Sequence, residues 1–106
     1  MAYKVLGQVN PSATTATTLY TVPAASSAVV STISVCNQAS TPATYRIAIR
    51  VAGATLSAEE YIVFGATVAA SDSTFITAGI TLAATDVITV YSSSATLSFN
   101  AFGSEA

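Results

Sequence analysis

The chain has 106 residues, of which only 8% are charged, three basic and five acidic, and it contains no histidine and no tryptophan. A typical domain is about 25% charged. This shortage argues against nucleic-acid binding, which needs several cations, and against histidine-based catalysis. The length suits one domain over residues 1–106, and a single cysteine cannot form an intrachain disulfide.

Apolar residues make up 52% of the chain, enough to build a folded core. Polar residues interrupt every apolar run, so no segment reaches the roughly 20 residues of a membrane-spanning helix. The first eight residues lack the basic stretch and apolar centre of a signal peptide. We therefore expect neither a membrane nor a nucleic acid as a partner.

Alternating apolar and polar residues predict short strands, because successive side chains of a strand point to opposite faces. In chain order the predicted strands cover residues 3–9, 17–22, 29–36, 43–51, 61–64, 74–77, 79–82, 87–91 and 95–102. Turn-forming residues separate them at intervals of roughly 8–12 residues, which is typical of sandwiches and barrels. One helical turn is expected at residues 56–60, with Thr55 or Ser57 as its N-cap.

The alternation is clearest over residues 43–51. One face of this strand carries Ala43, Tyr45, Ile47, Ile49 and Val51. The other carries Thr44, Arg46, Ala48 and Arg50. This pattern is typical of a half-buried strand, and it predicts that both arginines project from one exposed face.

The strand pattern predicts an all-β fold, a single antiparallel β-sandwich of about 7–9 short strands with a jelly-roll or immunoglobulin-like topology. The pairing should be antiparallel, because the connections are too short for parallel crossovers. The predicted core consists of Val22, Ile33, Val35, Tyr45, Ile47, Ile49, Val63, Ile88, Val90, Leu97 and Phe99.

Side chains that could carry out catalysis are scarce. Without histidine, Ser-His and Cys-His mechanisms are unavailable. Cys36 lies in an apolar strand, and we interpret it as a small buried residue, the alternative being a reactive thiol or an intermolecular disulfide. We therefore predict no enzymatic activity and no cofactor.

The acidic residues show no spacing typical of a metal site. Glu59 and Glu60 are adjacent, and neighbouring side chains in an extended chain point apart, so a solvated turn is expected. Asp72 and Asp86 follow small residues at predicted turns, where an aspartate commonly bonds the backbone. Calcium needs six to eight oxygen ligands, and this sequence does not group that many.

Arg46 and Arg50 are more informative because they share one strand face. They are either solvated charges that discourage sheet-to-sheet aggregation or one side of an ion pair across a subunit interface. Together with Glu59 and Glu60 they are the residues at which we expect specific interface contacts.

Residues 5–45 carry no charge at all. A free monomer normally uses charge to stay apart from its copies, whereas protein interfaces are depleted in Lys, Glu and Asp. We therefore expect much of the surface to be buried against other subunits, with a homo-oligomer among the arrangements.

Several short segments resemble small structural proteins of tailed-bacteriophage virions, those of cyanobacterial phages in particular. They are residues 6–8, 10–15, 19–23, 35–37, 45–48, 52–56, 82–87 and 97–103. The resemblance covers nearly the whole chain, but its motifs are strand and turn residues. It departs from the family after the central strand, where Val51 stands in place of a common proline.

The resemblance implies a β-sandwich that is part of the virion and is assembled in the host bacterial cytoplasm. The favoured role is a capsid decoration (cement) protein that stabilises contacts between neighbouring subunits of the major capsid protein. A neck, tail or fibre component is the alternative. A carbohydrate-binding sandwich is a weaker one, because the sequence has no tryptophan and no clustered acidic site.

Overall fold

A computed structural model describes residues 2–106, which form eight strands and two 3-10 turns. The strands are β1 Ala2–Val9, β2 Thr17–Thr21, β3 Ala28–Asn37, β4 Ala43–Arg50, β5 Tyr61–Val68, β6 Ser73–Leu82, β7 Val87–Ser92 and β8 Leu97–Glu105. The 3-10 turns, Val51–Gly53 and Ala58–Glu60, both lie between β4 and β5. Ser57 precedes the second turn, and its N–H donates to the Glu60 carboxylate, as in a capping box.

The strands form two four-stranded antiparallel sheets. Sheet A has the order β1-β8-β3-β6, and sheet B has the order β2-β7-β4-β5. The pairs are nested, first with eighth, second with seventh, third with sixth and fourth with fifth. This order is that of the eight-stranded jelly roll. The predicted all-β antiparallel sandwich is confirmed, and the structure selects the jelly roll over the immunoglobulin-like alternative.

The core lies between the inner faces of the two sheets. Ile33, Ile47 and Phe99 have no exposed surface, and the rings of Tyr45 and Phe99 meet edge to face with centroids 6.1 Å apart. The predicted core residues are buried except for Ile49 and Val63, which are half-buried and pack against the core from its margin.

Three strands of sheet A carry extra residues at about the same level of the sheet. Residues 74–77 and 79–82, predicted as separate strands, belong to one strand, β6, in which Ala78 and Gly79 lie opposite Ser31 alone. Ser31 is itself unmatched against β8, and Leu6 of β1 is also unmatched there. Bulges increase local twist and bend a strand. The extra residue in β6 interrupts its alternation, so one continuous strand has the sequence pattern of two.

One side of the sandwich is closed, because β1 of sheet A lies against β2 of sheet B. A Cβ added at Gly7 would overlap the carbonyl oxygen of Leu19, so only glycine allows this approach. Glu105 of β8 holds the same side together. Its carboxylate accepts hydrogen bonds from the Tyr20 hydroxyl and from the Lys4 ammonium, the latter at 3.0 Å.

These contacts shift the pKa values of Glu105 and Tyr20 in opposite directions. The hydrogen bond from Tyr20, followed by that from Lys4, lowers the pKa of Glu105. Burial, with the hydrogen bond and charge of Glu105 adding to it, raises the pKa of Tyr20. Glu105 is therefore held as the carboxylate and Tyr20 as the neutral phenol.

The close approach of β1 and β2 predicts that Gly7→Ala destabilises the protein. The added methyl group forces the two strands apart, and overpacking of this kind costs about 1–3 kcal/mol. Gly79→Ala is the matched control, because a Cβ there has nothing within 4 Å. Urea unfolding followed by circular dichroism measures both. Equal midpoints for the two variants would contradict the close approach.

The lowered pKa of Glu105 predicts a pH-dependent effect of Glu105→Gln. The folded-state pKa is below the unfolded one, so the carboxylate stabilises the fold above the unfolded value. That contribution is lost as the pH falls through the folded value. We expect the variant to melt below the wild type at pH 7 and the gap to close in acid. A gap that persists undiminished at pH 2 in thermal melts would exclude this linkage.

Candidate functional site

The outer face of sheet B holds an arginine between two aromatic rings. The guanidinium carbon of Arg46 lies 4.1 Å from the ring centroid of Phe64 and 4.3 Å from that of Tyr91. Tyr61 meets Phe64 edge to face, with centroids 5.0 Å apart and planes at 89°. We call these four residues the arginine–aromatic cluster. Cation–π contacts of this geometry attract the guanidinium to both rings.

Strand register explains how the cluster forms. Arg46 of β4 lies opposite Tyr91 of β7 on one side and opposite Phe64 of β5 on the other. Gly65, with φ +75°, has no partner on β4, so the pairing shifts by one residue there. This glycine bulge places Phe64 on the outer face beside Arg46 and returns Ala66 to the core margin.

The cluster leaves the hydrogen-bonding capacity of Arg46 unused. Within residues 2–106 its guanidinium donates to no acceptor, and the ring of Phe64 is 63% exposed. A guanidinium has five N–H donors arranged to match a carboxylate. Arg46 therefore presents a positive charge with free donors, held in place by its aromatic neighbours.

Arg50 lies on the same face, but its guanidinium binds backbone groups of the same chain. Its guanidinium donates to the carbonyl oxygens of Gly53 at 2.9 Å and Ala54 at 2.7 Å. Asp86 fixes the same segment, because one of its carboxylate oxygens accepts the N–H of Ala52 at 2.9 Å. Arg46 and Arg50 therefore share one strand face, but the guanidinium of Arg50 is bonded within the molecule.

Ala48, between the two arginines, is completely buried although its position alternates with the core residues. It lies in register with Tyr61 on one side and Thr89 on the other, and the segment 51–60 contacts β4 and β7. The hydroxyl of buried Thr89 has no hydrogen-bond partner within the described residues.

Glu59 and Glu60 lie on the second 3-10 turn and bond Ser57 rather than an arginine. Glu60 accepts the Ser57 N–H at 2.9 Å, and Glu59 accepts the Ser57 hydroxyl at 2.8 Å. The backbone N–H of Glu59, followed by that hydroxyl, lowers the pKa of Glu59. Lys4–Glu105 is the one ion pair among the described residues, so these two acids do not neutralise Arg46 or Arg50.

Cys36 is half-buried, and its side chain is free. The expected burial of Cys36 is only partial, because alternation along β3 assigns Val35 and Asn37 to the interior and Cys36 to the outer face. There it lies in register between Ser73 and Ser98.

Asn37 is a structural residue that lies just beyond the strand predicted over residues 29–36. It is 1% exposed, and its amide donates to the carbonyl oxygens of Thr41, Val68 and Ala69. Its side-chain oxygen accepts from the Ala39 N–H and the Thr96 hydroxyl. One buried amide thus joins three loops. The sequence signal for this buried role was an asparagine at the end of an apolar strand.

A second surface feature lies on the outer face of sheet A. Val5 and Phe102 are directly paired across β1 and β8 and are 48% and 37% exposed. Tyr3 and Val29 flank Ser104 in the next row and are also exposed. We call Tyr3, Val5, Val29 and Phe102 the apolar patch. Nothing in residues 2–106 covers it.

Other sites offer little chemistry. A shallow depression of about 350 Å³ is lined by six residues, Gln8, Val9, Asn10, Ser98, Phe99 and Asn100, none of which is charged. No three His, Cys, Asp or Glu side chains of the described chain lie where they could hold a metal ion together. Within residues 2–106, no helix has the length and hydrophobicity to span a bilayer.

Comparisons with protein-family models, curated proteins and solved structures find no match to this chain.

The stacking of Arg46 predicts that Arg46→Ala lowers the free energy of unfolding by about 1 kcal/mol, since cation–π contacts at exposed sites contribute about 0.5–1 kcal/mol each. Arg46→Lys retains a cation and should lose less. Urea unfolding measures both. An alanine variant as stable as the wild type would show that the rings do not hold the guanidinium.

Proposed function

We propose that this chain is a non-enzymatic structural protein of a bacteriophage virion, favoured as a capsid decoration (cement) protein bound across neighbouring capsid subunits. The observation that carries the proposal is the apolar patch on an uncharged sheet face. The resemblance of the sequence to small virion proteins supports the same class. So does the strand order, by fold-level analogy, since jelly rolls recur in viral capsid domains.

The outer face of sheet A has the composition of an interface. Within residues 2–106, every charged side chain lies elsewhere: Lys4 and Glu105 bond at the closed side, and the other charges belong to sheet B or to loops. Interface centres are depleted in charge, and exposed apolar clusters mark docking sites. The molecule measures 42 × 28 × 19 Å. A broad face of this size can supply the roughly 800 Å² per partner of a standard interface.

The mechanism follows from binding only the assembled state. A protein that spans two capsid subunits binds where they adjoin and not to either subunit alone. Mass action then stabilises the assembly. The stabilising free energy grows with the logarithm of the concentration of the decoration protein relative to its dissociation constant. The major capsid protein is the partner proposed, and the virion is the location proposed. No catalytic step and no cofactor are required.

A neck, tail or fibre module is the alternative within the same class, because the apolar patch serves a tail partner equally well. A carbohydrate-binding sandwich is a second candidate, favoured by the exposed aromatic ring of Phe64 packed edge to face on Tyr61. Sugars stack on such rings, but the cluster supplies an arginine and no carboxylate.

Locating the protein in particles tests the proposal. Antibodies raised against the purified chain are applied, with gold labels, to particles released from a host that carries the gene. Labelling over the capsid is expected. Label confined to the tail would replace decoration by the tail alternative, and particles without the protein would remove both virion roles.

A matched pair of valine variants tests which surface binds. Val5→Glu places a charge in the apolar patch, and Val51→Glu places one on the exposed 3-10 turn beside sheet B, where Val51 is 66% exposed. Particles stripped of the protein are incubated with each variant, and their heat stability is measured. We expect Val51→Glu to restore stability and Val5→Glu to fail. Equal restoration would exclude the apolar patch.

A further inference from the structure

The four edge strands of the sandwich differ in how they are protected. An exposed edge offers unpaired N–H and C=O groups to another strand, and proteins commonly block it with charge, bulges, short length or a cover. β1 carries Lys4, and β2 has five residues and lies against β1. β5 is interrupted twice, at Ile62 and at Gly65.

β6 lacks these protections over its first half. Ser73–Thr77 has no charge and no proline, and it pairs with β3 without a register shift from Ser73↔Cys36 to Thr77↔Thr32. Its other edge faces no strand of the described chain. Phe75, in the middle of this run, is 61% exposed on the outer face. The run is a regular, neutral and open edge.

We propose that two copies of this chain associate through Ser73–Thr77, with the two β6 strands paired antiparallel about Phe75. Phe75 then lies opposite Phe75 of the second copy, and Ser73 lies opposite Thr77. Sheet A continues across the two-fold axis as one eight-stranded sheet. The inference concerns a surface apart from the apolar patch and does not depend on the virion role.

Neutrality favours a second copy as the occupant. An isologous contact brings each residue near the axis against its own copy, so a charged residue there would repel itself. An antiparallel register centred on Phe75 brings no two charges together, and aromatic cross-strand pairs are favourable. Both termini of the run pair small hydroxyl residues, which fit opposite one another without steric conflict.

The bulge beyond the run limits the contact. Ala78 and Gly79 disturb the edge immediately after Thr77, so the ladder cannot extend into the second half of β6. Five residues from each copy make a small interface, and interfaces below about 1,000 Å² are weak or transient. We therefore expect a dimer that dissociates on dilution, with a dissociation constant in about the micromolar range or above.

Analytical ultracentrifugation over a wide concentration range tests the dimer. Phe75→Lys places a charge on the axis and should leave a folded monomer at every concentration, with folding checked by circular dichroism. Ile62→Lys is the control, because Ile62 is an exposed apolar residue on the other edge strand, β5, and lies outside the arginine–aromatic cluster. It should dimerise like the wild type. A wild type that stays monomeric at millimolar concentration, or equal loss in both variants, would overturn the proposal.

Crosslinking tests the register. In a Cys36→Ser background, Phe75→Cys brings the new thiol against its own copy, and a short bismaleimide should give a covalent dimer on a denaturing gel. Thr81→Cys lies on the same strand beyond the bulge and is far from its copy in this register, so it should stay monomeric. Crosslinking at Thr81 and not at Phe75 would exclude this pairing. Failure here would leave the particle-labelling result untouched, because that assay locates the protein in the particle and does not depend on pairing through β6.

Discussion

Apolar packing between the two inner faces is the constraint on which the rest of the structure depends. The chain has no disulfide, and Lys4–Glu105 is the one ion pair in its described part. Stability must come from burying side chains such as Ile33, Ile47 and Phe99, at about 25 cal/mol for each Å² of apolar surface. A slip of one residue in any strand would turn its apolar set outward, so this packing also sets the register.

Features that depend on alternation could be predicted from the sequence, and features that depend on bulges could not. The faces of β4 follow from alternating residues, and so does the antiparallel sandwich. Leu19 and Tyr20 are adjacent and both buried, because Leu19 is unmatched against β7. A sequence pattern of period two does not predict an unmatched residue of this kind. For the same reason, β6 was predicted as two separate strands, because its bulge interrupts the alternation.

The candidate site shows a second limit, that of contacts with the backbone. The positions of Arg46 and Arg50 on one face were predictable, but their different uses were not. The acceptors of Arg50 are carbonyl oxygens of Gly53 and Ala54, which any residue carries. The aromatic neighbours of Arg46 come from strands far apart in sequence, and the Gly65 bulge decides which residue of β5 faces it.

The contacts of the few charged side chains show what most of these side chains do in the structure. Most are occupied within the molecule: Lys4 with Glu105, Arg50 with its loop, and Asp86 with the N–H groups of Ala52 and Ala83. The remaining acids bond Ser57 or Ser73. Arg46 alone among the described charged residues makes no hydrogen bond. The charges mainly fix loops, which leaves the broad face of sheet A neutral.

The position of β8 has a consequence for how the chain folds during synthesis. β8 lies inside sheet A between β1 and β3, and its pairing joins Ala2 with Glu105. The ribosome makes β8 after the other seven strands, so sheet A is completed only once β8 has been made. Long-range pairing of this kind slows folding. The edge of β3 that β8 later occupies stays unpaired until then. Unpaired strand edges of this kind expose a folding chain to aggregation until the missing strand is in place.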